Sequence, residues 1–296
     1  MERRKRLRID YKELSSSQEI ILDIENLSQV PMQTSQWNNK HVAALNIEYQ
    51  NAKNIVEIIQ PSDLIEEDSF QKLTLKNWNR KDFLNFGDTT YKNMENHKII
   101  TIITKIKSVL LNEISTDPIR ETKVDSFITS LLFFLGFDDY PFLTHPQYDY
   151  SAYLNNTEHK ITSKVEFMVT KDDSYIVLII EDKLIKNPSE SDDWSEPQIA
   201  GEIFGAAFHN KSLSYAKKVT YPFNIYAIRV IGTKFTFYKS IVTREYIKET
   251  ETGLPKTNKL EIKRFPSQPS MFPSQDKELA ALDFTNENDR IYDIYV

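Results

Sequence analysis

The run Ile176-Val177-Leu178-Ile179-Ile180 is followed at once by Glu181-Asp182-Lys183. Five apolar, mostly β-branched residues in a row predict a strand buried on both faces. A carboxylate and an ammonium then stand where such a strand leaves the core. Side chains alternate along a strand, so Glu181 and Lys183 share one face and Asp182 takes the other. An acid and a lysine held together at the mouth of a sheet suit a divalent cation and an activated water. Four other acid-x-lysine triplets occur, beginning at Asp10, Glu121, Glu158 and Glu261. Only the one at Glu181 closes a long apolar run, and that context gives it meaning.

Such a strand needs partners, and the surrounding pattern supplies them. Lys164–Thr170 and Tyr175–Asp182 flank the polar turn Lys171-Asp172-Asp173-Ser174 and predict a hairpin. This brings a second acid, Glu166, onto the neighbouring strand. Upstream, Ile99, Ile102, Ile103, Ile106, Val109 and Leu110 recur at helical spacing. Asp117-Pro118 predicts the start of a second helix, which buries Val124, Phe127, Ile128, Leu131, Leu132 and Leu135 and stops at Gly136. Glu121 lies near its beginning, with Asp125 one turn later on the same side and read as a surface residue. Phe137 to Tyr150 reads as a loop.

Beyond an acidic segment, 187–196, Ser195 and Gln198 form a capping box with Pro197 in the first turn. The helix that follows carries Gly201 and Gly205 four residues apart, which lets one face approach a neighbour closely. Phe223–Ile231 and Lys234–Val242 predict another hairpin, and Lys259–Phe265 an edge-like strand. In the first third, Val42, Leu45, Tyr49, Ala52, Val56 and Ile59 predict a helix ending before Pro61. Trp37 and Trp78 read as packing anchors. The boundaries expected are a mainly helical N-terminal extension over 1–95, a main domain over 96–265 and a wrapping tail over 266–296 that carries the Phe-Pro-Ser-Gln near-repeat.

Composition removes several chemistries. The chain has 296 residues, 40% hydrophobic and 27% charged, with a net charge of −6 and no cysteine. Disulfides, thiolate zinc sites and a cysteine nucleophile are excluded. Six glycines cannot be arranged into a Walker A loop or a dinucleotide fingerprint. The five histidines are isolated and read as surface or packing residues. No stretch approaches the roughly 20 apolar residues of a membrane span. Residues 1–8 form a basic cluster without an apolar segment after it, which reads either as a signal of the nuclear-import type or as a solvated, disordered end. An intracellular setting, nuclear or cytoplasmic, is the expectation.

The ordered set of pieces resembles the PD-(D/E)XK nuclease superfamily, with its restriction-endonuclease-like αβββαβ core and mixed central sheet. Glu181-Asp182-Lys183 is similar to its (D/E)-x-K element, and Glu166 falls at its first acid. Within that superfamily the closest resemblance is to crinkler-type nuclease-like domains of fungi and oomycetes. It is carried by Leu131–Phe137, Glu196-Pro197-Gln198 and the aromatic strand Phe235–Tyr238. The resemblance covers residues 100–245. It implies a metal-dependent nuclease acting on nucleic acid, DNA foremost. Glu166, Glu181 and the backbone carbonyl of Asp182 would hold Mg²⁺ or Mn²⁺, with Glu121 at a second position. Lys183 would orient the attacking water, and Gln198 would complete the catalytic set. Lys217, Lys218, Arg229 and Lys234 are candidate phosphate contacts. The first acid is usually aspartate after proline; here it is Glu166 after Val165, a departure that bears on activity. The alternative is a degenerate nuclease scaffold, acting on protein partners through the N-terminal extension.

Overall fold

The structure, a computed structural model, describes residues 24–59, 73–87, 94–115, 120–154, 159–172, 174–183, 196–213, 219–267 and 280–290. An eight-stranded mixed sheet is sandwiched between helices. Its strands are β1 (Ile47–Asn51), β2 (Phe142–Tyr153), β3 (Lys160–Lys171), β4 (Tyr175–Lys183), β5 (Phe223–Ile231), β6 (Lys234–Val242), β7 (Leu260–Phe265) and β8 (Leu282–Asp283). The spatial order is β1-β7-β6-β5-β4-β3-β2, with β8 paired to β6. β1 runs parallel to β7 and β4 parallel to β5; the other pairings are antiparallel.

The helices are α1 (Asn39–Ala44), α2 (Arg80–Asn85), α3 (His97–Ile114), α4 (Thr122–Phe134), α5 (Glu196–Leu213) and α6 (Arg244–Thr252). They divide between the two faces of the sheet. On one face, α2, α3 and α4 bury Phe83, Ile103, Ile106, Phe127 and Leu131 against Phe167, Val169, Leu178, Ile180, Phe235 and Phe237. On the other, α5 and α6 meet Val165, Met168, Ile176, Ile179, Ile225 and Ala227. β4 is therefore covered on both sides, as its apolar run predicts. The helix α5 is buried nearly all round, from Ile199 to Phe208, because the segment before α1 covers its outer side. Trp37 lies against Gly201 there, where a Cβ would come within 2.9 Å of the indole. One turn on, Gly205 lies against Ser163, Tyr150 and Ile161 on the near face of the sheet.

Three expectations are corrected. The helix read over 42–59 ends at Ala44; Asn46 takes a left-handed φ of 51°, and residues 47–51 become β1. The free edge of β7 outweighs the helical spacing, because it offers a complete parallel ladder to Ile47–Asn51. That ladder also makes β7 an interior strand rather than an edge. Finally, Phe142–Tyr153 is a strand, not a loop. An outermost position tolerates Pro146, since no partner needs a hydrogen bond on that side. Asp117, Pro118, Ser195, the 187–195 segment, Lys217, Lys218, the basic cluster at 1–8 and the last six residues lie outside the described residues.

Candidate metal site and the buried network behind it

Regular alternation would place Glu166 and Glu181 side by side, because Phe167 pairs with Ile180 in the antiparallel β3–β4 ladder. The observed arrangement is different. Val165 packs in the α5 cluster, whereas Phe167, two residues on, packs in the α3–α4 cluster. Alternation is therefore broken between them, and Glu166 and Phe167 turn toward the same side. The pairs Pro146–Phe167 and Tyr148–Val165 bracket this point on β2, and Gln147 between them has a φ of 47°. A second irregularity lies at Val169/Thr170, where the β3–β4 register shifts and Val177 and Leu178 both face the α3–α4 cluster.

These two breaks decide which acids meet. Asp182, on the α4 side, joins Glu166 and Asp125, and one carboxylate oxygen from each lies within 4.8 Å of the other two. Asp182 is almost fully buried, at 4% exposure. Its carboxyl pKa is raised far above the ordinary range, to about 9. Burial is the largest cause, followed by the hydrogen-bonding contact with Asp125 and the charges of Asp125, Glu166 and Glu181. Asp125 Oδ1 and Asp182 Oδ2 are buried without a hydrogen-bond partner among the described residues. Two such oxygens beside a third carboxylate are costly unless a proton or a cation intervenes.

Glu181 points the other way, toward α5. Gln198 Nε2 donates to Glu181 Oε1 at 2.7 Å and to Glu202 Oε1 at 2.8 Å, so both of its amide hydrogens are used. Glu181 and Glu202 are 2% and 0% exposed. The Tyr150 hydroxyl donates to the Glu202 carbonyl at 2.6 Å, and burial followed by the Glu202 charge raises its pKa. Arg229 lies opposite Glu181 on the parallel strand, its guanidinium over the Tyr238 ring. Farther along, Glu196 receives both 2.6 Å bonds from Arg264 Nη1, and the Tyr49 hydroxyl donates to its carbonyl at 2.5 Å. The carboxyl end of β4 thus carries two polar assemblies, one on each face of the sheet.

Of the residues singled out from sequence, Glu166 and Asp182 are brought together, but it is the Asp182 side chain, not its backbone carbonyl, that lies in the cluster. Glu181 and Gln198 meet each other, away from Glu166. Glu121 is an exposed N-cap residue of α4 and does not join the triad; its neighbour one turn on, Asp125, does. The surface reading of Asp125 is corrected by that contact, and the one-turn spacing from Glu121 was the signal available. Arg229 is 1% exposed and donates to Thr236, so it is not a surface phosphate contact. Lys234 opens β6 opposite Ile231 and Asp283. Lys183 closes β4, and its side chain lies outside what is described.

The donor set is entirely carboxylate oxygen, which suits a hard ion such as Mg²⁺ or Mn²⁺ and not a thiolate-seeking one. No described helix is long and apolar enough to cross a membrane. Compared with known proteins, the chain matches no family model and no curated protein.

Proposed function

We propose that the chain is a metal-dependent phosphodiesterase acting on nucleic acid, with Asp125, Glu166 and Asp182 as the ion's protein ligands. The carrying observation is the convergence of three carboxyl groups from α4, β3 and β4 at the carboxyl end of a covered strand. The succession α4-β2-β3-β4-α5-β5 supports the reading, since it is the αβββαβ order that the resemblance implies. In this reading Asp182 takes the place the resemblance gives to Glu181. A divalent ion, when bound, supplies positive charge to a phosphate and acidifies a water. The chain's own part is to fix three oxygens in position without help from a loop. Glu181, Gln198 and Glu202 hold β4 to α5 from behind and so fix the strand that carries Asp182.

A second reading keeps the scaffold without the chemistry, and one observation favours it. Glu181 is engaged by Gln198, away from Glu166, so the acid-x-lysine element does not supply its acid to the triad. Calorimetric titration of Mg²⁺ and Mn²⁺ into wild type and Asp182→Asn separates the two. Wild type should bind and the variant should not, and only wild type should cleave single- or double-stranded DNA or RNA. Binding without cleavage of any substrate would favour the scaffold reading. Absence of binding at millimolar metal would remove the metal site.

A further inference from the structure

α4 begins beside the triad, with Asp125 in its first turn, whereas the β2–β3 ribbon runs on past this point. β3 pairs with β2 along its whole length, whereas its pairing with β4 begins at Phe167. Lys160–Glu166 and the facing half of β2 therefore run on beyond the last β3–β4 pair, Phe167–Ile180. One face of this extension is sealed: Tyr150, Ala152, Leu154, Ile161 and Val165 pack beneath α5. The opposite face carries Asp149, Ser151 and Tyr153 from β2, paired with Lys164, Thr162 and Lys160 from β3. None of these six belongs to either buried cluster. Asp149, Tyr153 and Lys164 are exposed, Tyr153 by 59%. This face leads directly to Glu166, with Lys164 two residues away, roughly 7 Å along the strand.

We infer that this open face is the track for a single strand of nucleic acid entering the triad. The inference rests on the phosphodiesterase reading for its destination but not for its binding chemistry. Lys160 and Lys164 stand four residues apart, about 13 Å, with Thr162 between them. Two ammonium groups in line along one strand suit phosphates; the Thr162 hydroxyl between them donates to the Met32 carbonyl at 3.2 Å and is taken up there. Neither lysine has a salt-bridge partner among the described residues. Tyr153, opposite Lys160, offers a flat ring for a base, the recurrent device of sheet surfaces that bind single strands. A two-stranded ribbon can enter a duplex major groove, but only when free on both sides. Here α5 occupies one side, which disfavours a duplex. Asp149, opposite Lys164, offsets part of its charge and is the groove's own brake on affinity.

The test is fluorescence anisotropy of a labelled oligothymidylate in EDTA, so that cleavage cannot intervene. Lys160→Ala/Lys164→Ala should weaken binding about tenfold or more and reduce the salt slope by about 1.4, the value for two phosphate contacts on a single strand. Tyr153→Ala should weaken it about tenfold with the slope unchanged, and Asp149→Asn should tighten it. Melting curves establish that each variant is folded. Unchanged affinity and slope in the double-lysine variant would overturn the track, as would equal affinity for a duplex or no binding by wild type. Calorimetric Mg²⁺ binding by the double-lysine variant should match wild type. If wild type binds no Mg²⁺ while the lysine dependence holds, the track stands and only the phosphodiesterase reading falls.

Discussion

Asp182 is held in a state that its neighbours make costly. Its carboxyl is buried against Asp125 with Glu166 nearby, so the uncharged form is favoured in the fold. The folded pKa of about 9 lies above the unfolded value of about 3.8. Its contribution to stability is therefore complete below pH 3.8 and is lost as pH rises toward 9. In EDTA, the wild-type melting temperature should fall between pH 5 and 9 by more than that of Asp182→Asn. Added Mg²⁺ should restore it at the alkaline end in wild type alone, because a cation takes over the role of the proton. A pH profile identical in wild type and variant would show that Asp182 does not carry the effect.

Between residue and fold stand two local devices. The breaks in β3 and β4 aim Glu166 and Asp182 toward α4, while Glu181 keeps to α5. The glycines of α5 let its two sides close up, on Trp37 at Gly201 and on the ribbon at Gly205. The indole Nε1 donates to the Pro31 carbonyl at 2.9 Å, so the ring cannot swing aside freely. A methyl at Gly201 would meet it at 2.9 Å, an overpacking that costs about 1–3 kcal/mol. Alanine recovers about 1 kcal/mol of helix propensity. Gly201→Ala should thus be destabilising in wild type and markedly less so in a Trp37→Ala background, where the contact with the Thr34 Cβ at 3.0 Å remains. Denaturant melts of the four proteins in that cycle measure the coupling, and additivity would contradict the close contact.

For the whole molecule, the first third is part of the sheet rather than an appendage to it. β1 pairs with β7, Trp37 covers α5, and the Tyr246 hydroxyl on α6 donates to the Leu45 carbonyl at 2.8 Å. Arg264 on β7 binds both Glu196, at the head of α5, and Asn51 of β1. Removing residues 1–59 strips β7 of its partner and leaves an open strand edge, a template for aggregation. The truncated chain should lose cooperative melting and elute as aggregate in size-exclusion chromatography. A monomer with an unchanged melt would mean that residues 60–296 fold without β1 and Trp37.

What the sequence determined by itself was whatever rests on local pattern. The apolar run 176–180, the long amphipathic helix over 97–114, the two hairpins and the closeness implied by Gly201 and Gly205 depend on period and neighbours, which the chain states directly. The tertiary structure decided everything that hinges on one residue's offset. A strand has a period of two, so a single break in alternation transfers a side chain to the opposite face. The breaks near Glu166 and at Val169/Thr170 have no mark in composition, yet they bring Asp182 and Asp125 to Glu166 and turn Glu181 toward Gln198. Residues 47–51 carried a helical spacing and became a strand because β7, over 200 residues later, left an edge to be paired. Hydrogen bonds to a distant strand outweigh a weak local preference, and no local pattern records that such a strand is waiting.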